Sequence, residues 1–333
     1  MSDQHKHSPI DIHAHYYPEA FLKLAGEHAA ACGVDYRVVP GKGPQFKNDY
    51  LVTTVGPRFV DLDARLQEMD GQGVSVHALS LSQPMVYWAP AAIAQRLSES
   101  FNDAVAAAHE KHPRRLVGLA TLPMHVPDIA VREAERAATL PGVRGFYMST
   151  RVNEKDVSDP SLWPVYERIE ALGLPLFLHP VYVIGHERLE AFYLTNLLGN
   201  PFETAIAAAH FIFGGVLDHF PKLKIVLPHS GGAFPWLVWR LQRGWVVRED
   251  LKKIRHGPDA YLRRFWYDTV GYSHHVIDFL ARVIGVDRIV LGSDYCFPIA
   301  DEQPVHSVTS HPGLAPADKA AILEGNARAL LGL

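Results

Sequence analysis

The chain has 333 residues, 48% of them hydrophobic, which suffices for the core of one α/β barrel. Its 32 Lys+Arg against 36 Asp+Glu give a net charge of −4 with His neutral, so no basic footprint marks a nucleic-acid or anionic-membrane partner. No apolar run reaches the roughly 18–20 residues that span a bilayer. The polar opening MSDQHKHSPIDIHAH lacks the apolar centre of a signal peptide. Two distant cysteines, Cys32 and Cys296, make no disulfide framework, and a reducing, cytoplasmic setting is the expectation.

Short apolar runs alternate with longer amphipathic stretches. The candidate strands, in order, are Pro9–His13, Val74–Leu81, Leu116–Leu122, Val143–Met148, Leu174–His179, Ile225–His229, Phe265–Val270 and Arg288–Gly292. Several are nearly continuous in apolar residues, as buried parallel strands should be. The clearer helical patterns are Ala91–Lys111, Ile129–Thr139, Ser161–Leu172, Glu203–Phe220, His274–Ile284 and Pro316–Leu330. Gly173 and Gly285 stand where helix-ending glycines belong. Eight strands alternating with helices predict a (β/α)8 TIM barrel over residues 1–333, with a long insertion after the first strand. An open doubly wound sheet would carry G-x-G-x-x-G after that strand, and here His-Ala-His follows it. Residues 16–60 read as a long, irregular active-site loop or small insertion around Pro40-Gly41-Lys42-Gly43-Pro44.

In a barrel the C-terminal strand ends converge on one rim, so polar residues there are the candidates for chemistry. The first strand ends in His13-Ala14-His15, whose period-2 spacing points both imidazoles to one side. His179 ends the fifth strand, His229 the sixth and Asp294 the eighth. Imidazole and carboxylate suit Zn²⁺ and also Mn²⁺ or Fe²⁺. Three histidines and one carboxylate would hold one divalent ion and leave a position for water or substrate. Asp11 reads as a supporting residue turned away from the pair. His77, inside a strand, and His210, inside a helix, read as packing histidines.

These residues resemble the amidohydrolase superfamily, in which a first-strand His-x-His, later strand-end histidines and a last-strand aspartate recur. The stretches Arg65-Leu66-Gln67-Glu68-Met69-Asp70, Arg114-Arg115-Leu116-Val117-Gly118-Leu119, His229-Ser230-Gly231-Gly232-Ala233-Phe234-Pro235 and Leu291-Gly292-Ser293-Asp294-Tyr295 are similar to one branch. That branch is typified by 2-amino-3-carboxymuconate-6-semialdehyde decarboxylase and includes metal-dependent, non-oxidative decarboxylases of hydroxylated aromatic acids. The resemblance implies His13, His15, His179 and Asp294 as metal ligands. It implies His229 and Asp294 as catalytic residues, and Phe297 as a substrate contact. Arg240 would meet the substrate carboxylate across a homodimer interface. The branch's first-loop arginine falls at about Thr53, with Lys47 or Arg58 as replacements. The fourth strand, Val143–Met148, lacks the bridging lysine of binuclear relatives, which points to a single metal.

The function expected is therefore decarboxylation of a small carboxylated aromatic or muconate-semialdehyde-type acid, with zinc the first expectation for the metal and manganese the second. The alternative is a metal-dependent hydrolase or hydratase of a related acid, lactone or amide, using the same ligands. A metal-binding scaffold without catalysis would lack one of the five residues, and all five are present. Among rim aromatics (Tyr16, Trp88, Phe192, Tyr193, Tyr295 and Phe297), Trp88 is singled out as a wall for a flat substrate.

Overall fold

The computed structural model describes residues 7–333. Eight parallel strands form one sheet in chain order. They are β1 (Ile10–His15), β2 (Val76–Ser80), β3 (Leu116–Thr121), β4 (Val143–Ser149), β5 (Leu176–His179), β6 (Ile225–Leu227), β7 (Phe265–Asp268) and β8 (Ile289–Val290). Backbone bonds from Ile12 N–H to Leu291 O (3.0 Å) and from Tyr295 N–H to His13 O (3.2 Å) join the last strand to the first. The expected barrel is thus the observed one. Helices cover its outer face, so apolar residues on both strand faces are buried. A fully buried Ile or Phe side chain contributes on the order of 1.5–3 kcal/mol by leaving water.

Local chemistry sets the element ends. The helix Leu62–Gln72 begins at Asp61, whose carboxylate accepts the Ala64 N–H at 2.9 Å. Gly173 closes the helix Trp163–Leu172 at φ 70°, a conformation glycine adopts without Cβ strain. The pattern over Glu203–Phe220 is two helices, Asn200–Phe213 and Val216–His219, parted at Gly214-Gly215. The pattern over Pro316–Leu330 is interrupted by a π-turn at Ala321–Gly325.

The segment after β1 corrects the expectation of an irregular loop. It holds the helix Glu19–Ala29 and a three-stranded antiparallel sheet, Asp35–Val39, Gly43–Asn48 and Leu51–Thr54. The Pro40–Pro44 loop signature is the turn between the first two of these strands. A second long connection, after β5, is bolted to this sheet. Tyr50 stacks flat on His186 with ring centroids 3.8 Å apart, its hydroxyl accepts the Val183 N–H at 2.6 Å, and Asn48 donates to the Tyr182 hydroxyl at 2.7 Å. The two insertions therefore form one structured wall.

Among the described residues, no helix is long and apolar enough to cross a membrane.

Candidate active site

His13, His15, His179 and Asp294 converge at the rim, all buried, with one ligand-type atom from each lying within 4.8 Å of the others. Asp294 Oδ1 is the hub. It lies 3.3 Å from His13 Nε2, 3.1 Å from His15 Nε2 and 4.0 Å from His179 Nε2. Each imidazole is oriented through its other nitrogen. His13 Nδ1 faces Asp268 Oδ2 at 2.7 Å, His15 Nδ1 meets the Ser80 hydroxyl at 3.1 Å, and His179 Nδ1 donates to Pro180 O at 2.8 Å. Such outer partners fix tautomer and ring direction in metal sites. They leave three Nε2 atoms aimed at one point. His13 Nε2 and His179 Nε2 are buried and have no hydrogen-bond partner among the described residues. Buried polar atoms rarely go unpaired, and a divalent ion at their common point would satisfy both. The donor set therefore fits such an ion.

His229 stands apart from this set. Its Nε2 is 3.9 Å from the second Asp294 oxygen, Oδ2. It does not end β6 as the sequence suggested: the strand stops at Leu227, and His229 lies in a short turn at φ 55°, followed by Ser230 at φ 56°. Asp268 makes that turn possible. Its Oδ2 accepts the His229 N–H at 3.0 Å and its Oδ1 accepts those of Ser230 (2.7 Å) and Val270 (3.0 Å). One carboxylate thus orients a ligand-type imidazole and anchors the His229 turn. Asp268 was missed from the sequence, although it ends β7 and the strand-end test would have found it there. Gly292 contributes by its missing side chain, since a Cβ there would sit 2.9 Å from the Asp268 Cβ and 3.1 Å from that of His13.

Asp11 turns away from the cluster, for a reason the alternation rule omits. Strict period 2 would align it with His13 and His15. The pairing of β1 with β2 slips between Asp11 and Ala14, so Asp11 faces β8 and His77 instead. Its carboxylate accepts the N–H groups of His13 (2.9 Å) and Ser293 (3.2 Å), and the Ser293 hydroxyl.

The electrostatics follow from burial and charge. Burial pulls His13 down, but Asp294 and Asp268 more than reverse this and carry it up to about 10. Burial lowers His15 to about 4, and holds His179 well below the usual imidazole range. Burial likewise lowers His229. Burial resists the Asp294 charge, but the nearby His13 charge and the hydrogen bond from His15 overcome it and keep the carboxyl far below its usual range. Burial thus favours neutral His15 and His179, while the two carboxylates favour an additional proton on His13. A divalent ion must displace it. Metal uptake at pH 7 is expected to release about one proton, with affinity rising about tenfold per pH unit below the His13 value. Calorimetry in buffers of different ionisation enthalpy measures this, and uptake without proton release would contradict the assignment.

Two cavities lie near the cluster, although none of its four residues lines either of them. One, of about 580 Å³, reaches His229 and Ser230 between Val270, Tyr272 and Trp236. The other, of about 480 Å³, is lined by Thr53, Phe59, Phe297, Tyr193 and Asn196, and by part of Arg58. Phe297 lies 5.1 Å from the His15 ring, centroid to centroid, and stacks toward His179 at 6.5 Å. Trp88 is partly buried against the core, and its indole N–H donates to Met85 O at 3.0 Å. Tyr16 and Tyr295 are buried and pack around Arg65. Phe192 is exposed, and Tyr193 is the rim aromatic that joins Phe297. Arg240 does not join its own chain's cluster; it is exposed on the helix Phe234–Val247. His77 is buried, and His210 pairs with Ser158 and Asp156, both outside the cluster.

Comparison with known proteins places this geometry. The chain is 31% identical to a 2-amino-3-carboxymuconate-6-semialdehyde decarboxylase of Dictyostelium discoideum, over 97% of this chain and 91% of that one. Among solved structures it matches 5-carboxyvanillate decarboxylase from Sphingomonas paucimobilis with a TM-score of 0.83 and 30% identity, over 98% and 100% of the two chains. It also matches a dihydroxybenzoic acid decarboxylase from Polaromonas sp. JS666, solved with bound manganese and the inhibitor 2-nitroresorcinol (TM-score 0.79, 25% identity, 98% and 97% covered). The amidohydrolase family model matches residues 10–333. The chain belongs to the amidohydrolase family, on the branch that holds these decarboxylases.

Proposed function

We propose that this chain is a metal-dependent, non-oxidative decarboxylase of a small hydroxylated aromatic acid. The observation that carries the reading is the convergence of three imidazole Nε2 atoms on Asp294, with His229 set behind its free oxygen. Its family relatives, decarboxylases of aromatic and muconate acids, support the same reaction class.

His13, His15, His179 and Asp294 would hold one divalent ion, which when bound supplies Lewis acidity toward substrate oxygens. Zinc suits the nitrogen-rich set, and the manganese in the Polaromonas relative keeps Mn²⁺ beside it. Elemental analysis of purified protein decides between them. His229, kept neutral by burial, can accept a proton at Nε2 and pass it toward Asp294 Oδ2. In the reaction the ring carbon bearing the carboxylate gains a proton, its bond to the carboxylate breaks, and that electron pair restores the ring as CO2 leaves. Phe297 and Tyr193 offer a flat wall beside the cluster.

The loop after β1 favours an aromatic acid over a muconate semialdehyde. Thr53 is buried and brings no charge. Arg58 is taken by Glu68 at 2.6 Å and Glu302 at 3.2 Å, and Lys47 is exposed on the small sheet. Arg58 is thus already paired and Lys47 faces solvent, which speaks against either as a replacement for the branch's carboxylate-binding arginine. Arg240 would supply that charge in a homodimer. Support comes from its exposed helix, where Trp236, Trp239, Val246 and Val247 are all about half exposed or more. A monomeric mass in light scattering would remove this role. The two free cysteines support a reducing, cytoplasmic setting.

Incubating the metal-loaded enzyme with hydroxybenzoic acids should release one CO2 per acid consumed. Turnover without CO2 would favour a hydrolase or hydratase built on the same residues.

A further inference from the structure

Arg65 is the largest fully buried side chain among the described residues. It sits in the helix Leu62–Gln72, and among the described residues no carboxylate pairs with it. A buried, unpaired guanidinium is costly, so its contacts need a reason. They lie at the seam where β8 meets β1. Arg65 Nη2 donates to the His15 carbonyl, and the guanidinium lies 4.5 Å from the centroid of the Tyr295 ring. His15 and Tyr295 are themselves joined across the seam, the His15 N–H donating to Tyr295 O at 2.6 Å. Arg65 Nη1 donates to His77 Nδ1 at 3.3 Å. His77 Nε2 in turn approaches Asp11 Oδ2 at 3.5 Å, and Asp11 binds the backbone of His13 and Ser293.

The seam needs such support. The β8 ladder covers only Ile289–Val290, and Asp294 sits beyond it at φ 63°, a conformation unusual for a non-glycine residue. Its two neighbours are each held from behind, Ser293 by Asp11 and Tyr295 by Arg65.

We propose that Arg65 is a positioning residue for the metal centre: it fixes the backbone that carries His15 and Asp294, directly and through His77 and Asp11. The inference rests on the metal reading above. A neutral imidazole bridges the positive guanidinium and the negative carboxylate, so the buried charges complement each other through His77. Lysine keeps the charge but lacks the planar fork that meets a carbonyl, an imidazole and a ring face at once.

The test uses Co²⁺-loaded full-length protein, wild type, Arg65→Lys and His77→Gln, with visible spectra, chelator competition and steady-state kinetics. Arg65→Lys should shift the Co²⁺ ligand-field bands, and weaken metal binding or lower kcat of the saturated enzyme by about 10–100-fold. KM should stay near the wild-type value. His77→Gln, whose amide can still reach Asp11 but which takes away the Nδ1 acceptor of Arg65 and so breaks the relay between them, should shift the bands the same way by less, and it decides the matter if Arg65→Lys does not fold. A merely structural arginine would lower the melting temperature and leave bands and kcat per bound metal unchanged, which would overturn the proposal. A wild-type chain that takes up no Co²⁺ would instead overturn the metal reading, and this inference with it.

Discussion

Replacing His229 with alanine should leave the divalent ion bound and lower kcat by about 10²–10⁴-fold, the usual contribution of a positioned general acid or base. The argument is geometric. The metal-type atoms come from His13, His15, His179 and Asp294, while His229 Nε2 stays outside that set, 3.9 Å from Asp294 Oδ2. Its Nδ1 is buried and unpartnered among the described residues, so the ring is free to exchange a proton rather than locked in a structural bond. Burial keeps it neutral, and thus able to accept. The φ of 55° adds a control: asparagine tolerates this conformation better than alanine, so His229→Asn separates lost chemistry from backbone strain. Metal content after dialysis and steady-state rates measure both effects. Activity surviving in either variant removes His229 from the catalytic role.

Asp268→Ala should be the most damaging change outside the metal-type residues. The carboxylate faces the His13 Nδ1 and accepts three backbone N–H groups, all between 2.7 and 3.0 Å. Removing it strands four polar groups, three of them buried, and loosens both His13 and the His229 turn. A loss of about 3–5 kcal/mol in stability is expected, as for other broken buried pairs. Metal affinity should fall about 10–100-fold. Asp268→Asn retains an acceptor and should lose less stability, while still losing the charge that raises the His13 basicity. Thermal melts and chelator competition read the two effects separately. Unchanged metal affinity in Asp268→Ala would contradict the claim that this carboxylate orients His13.

Much of this was legible before the structure, because a barrel makes strand ends meaningful. The apolar runs that became β1 to β8 each needed burial on both faces, and the polar residues at their ends had one rim to occupy. His13, His15, His179 and Asp294 could therefore be grouped across 282 residues of sequence (counting 13 to 294) without knowing any contact. What escaped the sequence depended on tertiary detail. Asp11 turns away as expected, but the cause, a bulge in β1 that breaks the alternation, could not be read from the sequence. His229 stands in a strained turn rather than at a strand end because Asp268 holds that turn from another strand. Residues 16–60 looked irregular because the hairpin turns interrupt their short strands, which bury only Phe46, Leu51 and Thr53. Arg65 could be noticed in a motif, but nothing in its spacing says that it lies beneath the seam.

The central claim is that this site exchanges a carboxylate for a proton. The direct measurement is turnover of a hydroxybenzoic acid by metal-loaded enzyme in D2O, followed by NMR of the product and by CO2 analysis. The account predicts one CO2 per acid consumed and a single deuteron on the carbon that carried the carboxylate. Consumption of the acid with the carboxylate retained, and solvent oxygen built into the product, would contradict it.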